Sequence, residues 1–449
     1  MVPDPPVVGP PHVPRPPEVE GSRPETERPG AAAPPDVLRP LHVGLVCPYA
    51  FDTPGGVQNH VLGLAAWLGS QGHRVQVLAP GRIPPELHRR YGCPEVVSTG
   101  RAHPVAYNGS VARVSLAAGR TVRRWLAEED LDLVHVHEPL TPGASLQVLR
   151  SPGPPVVATF HTATPRSRGM QLAGRVMAGR LARVEAAIAV SEAARRVVVE
   201  HLGLDATVIG NGFAPGPDAD RERLPGVWRP GGLDVPGPRI AFLGRLDEPR
   251  KGLDVLIAAW PGVRARWPGA TVVVAGSGSR RLPAGWTELG AISDGERARL
   301  LDWCDVFVAP HRDRESFGLV LLEALSAGAV VVAADLPAFV DVVGEAADRH
   351  AHFFRRGDAA DLIRALGVAL GRGADRARRH APIPQTADAV RPGPGDAVRS
   401  GADDPLAALR ARYDWSTIGA QVLQVYRGVL PTASAATAPT GQAATSPRP

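Results

Sequence analysis

At 449 residues the chain is too long for one ordinary hydrophobic core, so two domains with accessory segments are expected. A hydrophobic share of 44% with 21% charged residues fits a soluble globular protein, and three cysteines (Cys47, Cys93, Cys304) without a C-x-x-C pair argue against a disulfide framework or zinc site. The net charge of +5 admits nucleic acid, a membrane surface or an anionic substrate, so its location must decide.

Residues 1–40 hold 13 prolines and no apolar run of secretory length, which reads as a disordered, partly extended arm. The tail 431–449, built mainly of Ala, Thr, Ser and Pro, is equally unable to form a core. No run is apolar enough to span a membrane: the nearest, Gly318 to Ala334, is broken by Glu323 and Gly328. Between the tails, apolar strand-like runs alternate with helical patterns, the signature of an α/β protein with parallel sheets and crossover helices. Strands are expected over Leu41–Val46, Arg74–Leu78, Leu133–Val136, Val156–Phe160, Ala187–Val190 and Thr207–Ile209, then Arg239–Leu243, Thr271–Ala275, Val306–Val308 and Val330–Ala333. This divides the chain into a domain over 41–215, a Pro/Gly-rich linker over 216–238 and a domain over 239–410. The latter domain carries a low-complexity surface insertion at 371–404, and a C-terminal helix lies over 411–430.

The first strand runs into a turn with Gly55 and Gly56 that opens a helix near Val57, where bare amides can approach a phosphate. The turn is not G-x-G-x-x-G, and no acidic residue ends the second strand, which excludes a nicotinamide dinucleotide enzyme. Around Arg120, Arg123 and Arg124 the apolar Leu116, Val122, Trp125 and Leu126 suggest a basic, aromatic-bearing amphipathic helix for an anionic membrane surface. Residues 41–215 carry 17 arginines against 12 acidic residues, so the charge excess sits in the first domain; no recognition motif accompanies it, which excludes nucleic acid. His135 and His137 alternate along a strand without a third metal-binding partner, while His161 ends a strand and projects into the same crevice as the Gly55-Gly56 turn.

In the second half, Lys251 is the only lysine in the chain; the other 49 basic residues are arginine. Such a position calls for a compact point charge, and with Arg245 it would grip an anionic group such as a diphosphate. Glu315 precedes a helix and Glu323 lies two turns inside it, on one face by spacing; burying Glu323 among leucines requires a hydrogen-bonding partner such as a ribose. The amides of Ser316, Phe317 and Gly318 offer an anion site at that helix start.

Together, Gly55-Gly56, His161, Arg245 with Lys251, and Glu315-x(7)-Glu323 resemble the retaining GT-B glycosyltransferases of family 4. The strings Val-Cys-Pro-Tyr-x-Phe-Asp-x-Pro-Gly-Gly-Val-Gln, Tyr-Asn-Gly-Ser-Val-Ala-Arg, Asp-Glu-Pro-Arg-Lys-Gly and Tyr-Asp-Trp-Ser resemble the actinobacterial members that mannosylate phosphatidylinositol, over roughly Leu41–Leu430. The resemblance implies two Rossmann-like domains facing a cleft. Arg245 and Lys251 would hold the diphosphate of GDP-mannose, Glu315 the mannose hydroxyls, Glu323 the guanosine ribose, and His161 the sugar near the reacting carbon. Gly56 would admit a phosphate, and Tyr49, Gly55, Gln58, Asn108, Ser110 and Arg113 would line the inositol-phosphate pocket. It also implies no tightly bound metal, with Mg2+ at most a stimulant, and a cytoplasmic enzyme held peripherally at the membrane. Competing readings are another sugar nucleotide or soluble acceptor, and an idle lipid-binding protein, against which the intact Arg245, Lys251, Glu315 and His161 argue.

Overall fold

Runs of valine, leucine and alanine bounded by glycine turns give parallel strands buried on both faces, and they assemble two sheets. The computed structural model describes residues 39–431 apart from 54, 93, 108–109, 163–176, 214–229, 231–236, 314, 345–346 and 380–404. The N-terminal part contributes β1 (His42–Val46), β2 (Arg74–Ala79), β3 (Glu95–Ser98), the antiparallel hairpin β4 (His103–Tyr107) and β5 (Ser110–Val114), β6 (Leu133–His137), β7 (Val156–Phe160), β8 (Val184–Ala189) and β9 (Ala206–Val208). Apart from the hairpin they form one parallel sheet in the order β3-β2-β1-β6-β7-β8-β9. The second sheet holds β10 (Arg239–Leu243), β11 (Thr271–Ala275), β12 (Thr287–Glu288), β13 (Val306–Ala309), β14 (Val330–Ala334) and β15 (Ala351–Phe354), ordered β12-β11-β10-β13-β14-β15. Strand order reverses beside β1 and beside β10. Crevices therefore open beyond the carboxyl ends of β1 and β6, and of β10 and β13.

The helices of the first sheet are α1 (Gly56–Ser70), α2 (Pro85–Tyr91), α3 (Gly119–Glu128), α4 (Ala144–Leu149) and α5 (Glu192–Leu202). Those after it are α6 (Leu253–Arg266), α7 (Asp294–Trp303), α8 (Leu319–Ser326), α9 (Pro337–Val343), α10 (Ala347–His350), α11 (Ala359–Arg379), α12 (Pro405–Tyr413) and α13 (Trp415–Val429). The last of these returns to the first domain. A Cβ at Gly63 of α1 would lie 2.3 Å from the Trp415 ring and one at Gly419 of α13 would lie 2.3 Å from Trp67, so each helix receives the other's tryptophan in a glycine notch. The Asp414 side chain caps α13 by accepting from Ser416 N, and Phe213 N donates to Tyr413 O at 2.7 Å where the chain crosses between domains.

The apolar runs read from sequence all form strands, with ends shifted by up to three residues, as at β8, which starts at Val184. Strands β3, β4, β5, β12 and β15 were not expected: they are short or polar, and only pairing with a neighbour defines them. Helix α11 extends to Arg379, so the first part of the expected insertion is helical, because its apolar face, with Leu366 and Leu370 buried, stays against the second sheet. Residues 1–38, 380–404, 432–449 and nearly all of the expected linker lie outside the described residues.

Candidate active site

The donor-side crevice is built by two loops pressed together. After β10, a single 3-10 turn over Pro249–Lys251 ends at Gly252, whose φ of +70° and place 1.7 Å (for a Cβ) from Pro310 O admit only glycine. That close approach delivers Lys251 Nζ to 3.1 Å from Glu315 Oε2 and 2.9 Å from His311 Nε2. Arg250 reaches Glu315 at 3.5 Å and also pairs with Glu248. Burial alone would raise the Glu315 carboxyl, but Lys251, His311 and Arg250 outweigh it and hold it down at about 2. Burial first, then Lys251, lowers His311 to about 3, so its imidazole stays neutral and accepts from the ammonium. Arg245 stands exposed on the same loop, above buried Leu246.

Gly318 starts α8 at φ +101°, with Phe339 at 2.8 Å from where a Cβ would be. The Phe317 ring packs edge-on against Tyr413 at 5.2 Å, which leaves the backbone amides, not that side chain, and Ser316 to face a ligand. Across the cleft, a Cβ at Gly56 would sit 3.7 Å from Leu319, so the glycine turn after β1 meets the start of α8. Glu323 does not join Glu315: its carboxylate lies 3.2 Å from Arg297 of α7, which also holds Asp294 at 2.9 Å, and Asp294 pairs with Arg90 of α2 in the other domain. One Glu323 oxygen, Oε2, is buried without a partner among the described residues, and burial raises this carboxyl despite Arg297. A ribose hydroxyl would satisfy that oxygen.

On the acceptor side, Tyr49, Gln58 and Arg113 gather at one loop. Gln58 Nε2 donates to Ala50 O at 3.3 Å and Thr53 O at 2.9 Å, closing the loop beneath Gly55. Arg113 pairs with Asp52 at 2.9 Å, and its carbonyl accepts from Ala50 N. The amide of Gln58 is thus engaged in shaping the loop. Ser110 opens β5, and Asn108 lies outside the described residues.

The end of β7 carries His161 into a buried group of imidazoles. His137 Nδ1 lies 3.0 Å from His161 Nε2, and His60 of α1 stacks edge-on to both, 5.4 and 5.2 Å between ring centres. Desolvation lowers the pKa of all of them, His60 and His135 to about 3. The expectation that His137 lacks a third metal-competent neighbour is corrected here. One nitrogen from each of His60, His137 and His161 lies within 4.8 Å of the others, a donor set that suits Zn2+. An ion drawing on the two closest nitrogens would displace the His137–His161 hydrogen bond. His60, His311, Arg297 and Glu138 were not singled out from sequence. His311 shares with His161 the one available signal, a histidine just past the carboxyl end of a parallel strand.

Helix α3 corrects one residue of the basic surface. Trp125 is 3% exposed, and its indole N–H donates to Gln76 Oε1 at 2.7 Å, while its ring fills the space over Gly44. The aromatic is core, because the helix must bury one face against the sheet. Arg120, Arg123 and Arg124 stay exposed beside Leu116, which is 63% exposed, and Arg124 pairs with Glu128 at 2.8 Å. Among the described residues no helix is long and apolar enough to cross a membrane.

Two Rossmann-like domains whose switch-point loops meet across a cleft define the GT-B class of glycosyltransferase. The same architecture recurs in a glycosyltransferase from Rickettsia africae (TM-score 0.62, 14% identity, 87% of this chain and 99% of that one). It recurs also in Anabaena HepE in complex with UDP and glucose (TM-score 0.60, 19% identity, 86% and 100%). Residues 54–216 match the model described as Glycosyltransferase Family 4, and residues 237–371 match Glycosyl transferases group 1. The phosphatidyl-myo-inositol mannosyltransferase of Propionibacterium freudenreichii is 44% identical over 86% of this chain and 94% of its own length, and that of Mycolicibacterium smegmatis 40% over 87% and 94%. The chain belongs to glycosyltransferase family 4.

Proposed function

We propose that this enzyme transfers mannose from GDP-mannose to the inositol of phosphatidylinositol, with retention, at the cytoplasmic face of the membrane. The observation that carries the reading is the Lys251–Glu315–His311 cluster at the mouth of the β10/β13 crevice, together with relatives named for phosphatidylinositol mannosylation. A diphosphate draws Lys251 and Arg245 by charge, and the ammonium stabilises the negative charge that builds on the leaving group. Glu315, held ionised by its cations, is an acceptor for sugar hydroxyls at any physiological pH. Glu323 Oε2 takes a ribose hydroxyl, and the Ser316–Gly318 amides meet phosphate oxygens at the start of α8. Among the described residues no side chain facing the cleft is arranged as a nucleophile for double displacement, which favours attack of the inositol hydroxyl on the same face that the diphosphate leaves. Exposed Arg120, Arg123 and Arg124 attract an anionic leaflet, each contributing about 1 kcal/mol near the surface.

The test is incubation of the purified protein with radiolabelled GDP-mannose, UDP-glucose or GDP-glucose and phosphatidylinositol vesicles, with free inositol phosphate as the soluble arm. A labelled lipid with GDP-mannose alone is expected; a labelled product only with another donor, or only with the soluble acceptor, overturns the reading.

A further inference from the structure

His137 is fully buried, so it can influence the cleft only through a neighbour. Its ring is fixed from behind. His135 uses both nitrogens, Nδ1 with Tyr426 Oη and Nε2 with Thr159 Oγ1, each at 2.7 Å, and His137 lies against it at 4.3 Å between ring centres. Ser145 of α4 donates to the His137 carbonyl at 2.8 Å. The backbone of His161 is fixed as well: Glu138, the one non-glycine residue with positive φ among those described (48°), accepts from His161 N and Thr162 Oγ1, each at 2.8 Å. What remains to be set is the protonation of the His161 ring.

We propose that His137 is a positioning residue that fixes His161 in the tautomer with hydrogen on Nδ1, so that an N–H, not a lone pair, is offered on the ring nitrogen left for the sugar. Of the two nitrogens 3.0 Å apart, one donates and the other accepts. His137 Nε2 is buried with no partner among the described residues. If His137 accepted, that atom would carry an orphaned buried N–H, the rarer defect; if His137 donates, only a lone pair is left unused. Donation from His137 Nδ1 to His161 Nε2 puts the His161 hydrogen on Nδ1. Asn211 lies beside that ring, and its buried Oδ1 can accept such an N–H. A sugar hydroxyl oxygen would take the same N–H on binding.

The proposal rests on the reading that His161 contacts the sugar, and the test separates the two. Histidine-15N-labelled full-length protein, with the His161 resonances assigned by their loss in His161→Ala, gives the tautomer directly by long-range 15N–1H correlation. Hydrogen on Nδ1 is expected; hydrogen on Nε2 overturns the proposal whatever any variant does. His137→Asn keeps an N–H where Nδ1 stood, whereas His137→Asp supplies an acceptor and His137→Leu supplies neither. With the fold checked by circular dichroism, the Asn variant is expected to keep kcat/KM within about threefold and the Leu and Asp variants to lose about tenfold, the worth of one neutral hydrogen bond, with GDP affinity unchanged. Equal turnover by the Asn and Leu variants overturns the proposal. Full turnover by His161→Ala, with hydrogen still on Nδ1 in the parent, removes the sugar-contact reading instead.

Discussion

Lowering the pH from 7.5 to 5.5 is expected to remove most of the stability of this enzyme through five histidines. His60, His135, His137, His161 and His311 are buried, and burial depresses each below the ordinary 6.5, to about 3 for His60, His135 and His311. Their folded values are lowered, so the stability they contribute is fully present above 6.5 and is lost as pH falls from there toward 3. At pH 5.5 an unfolded histidine is about nine-tenths protonated while the folded one is still neutral, which amounts to about 1.4 kcal/mol per residue. The figure hardly depends on how far below 5.5 the folded value lies. Five such residues give about 7 kcal/mol, comparable with the whole stability of an ordinary domain. The depressed carboxyls, such as Glu315, titrate lower and do not enter this window. Urea unfolding followed by tryptophan fluorescence at pH 7.5, 6.5 and 5.5 gives the slope of stability against pH, which equals the proton uptake. About four to five protons are expected at pH 5.5, with His60→Leu reducing the uptake by about one. A slope below one proton, or no change in His60→Leu, would refute the assignment of these rings as buried and neutral.

Lys251→Ala is expected to weaken GDP binding about 10- to 100-fold by calorimetry, the worth of a charged hydrogen bond. Lys251→Arg should lose nearly as much, because the gap between His311 Nε2 and Glu315 Oε2 holds a single ammonium; normal binding by the arginine variant would show that charge alone matters. Gly63→Ala or Gly419→Ala drives a methyl into a tryptophan ring and should destabilise by about 1–3 kcal/mol in urea. Unchanged midpoints would mean that α1 and α13 separate freely. Replacing Arg120, Arg123 and Arg124 together by serine should abolish flotation with anionic vesicles, whereas Trp125→Phe should lower stability and leave flotation intact; retained flotation of the triple variant removes this helix as the anchor.

Composition and periodicity carried the α/β class, the central buried strands and the Gly55-Gly56 turn before α1, since a strand buried on both faces is built mainly of apolar residues. The local strings Arg245 to Lys251 and Glu315 to Gly318 likewise carried the expectation of an anion site, because charge and bare amides are properties of the residues themselves. Which groups meet was not local. Glu315 and Glu323 share a helical spacing, yet one is taken by Lys251 from the turn after β10 and the other by Arg297 from helix α7, because different elements of the same domain reach them. Trp125 sits among arginines in sequence but over Gly44 in space. His60, His137 and His161, separated along the chain by 24 residues or more, become neighbours only because α1, β6 and β7 converge at the switch point of the sheet. Sequence fixes what each residue can offer; long-range strand order decides which offers face one another, and in a parallel sheet that order is set by crossovers that no local pattern encodes.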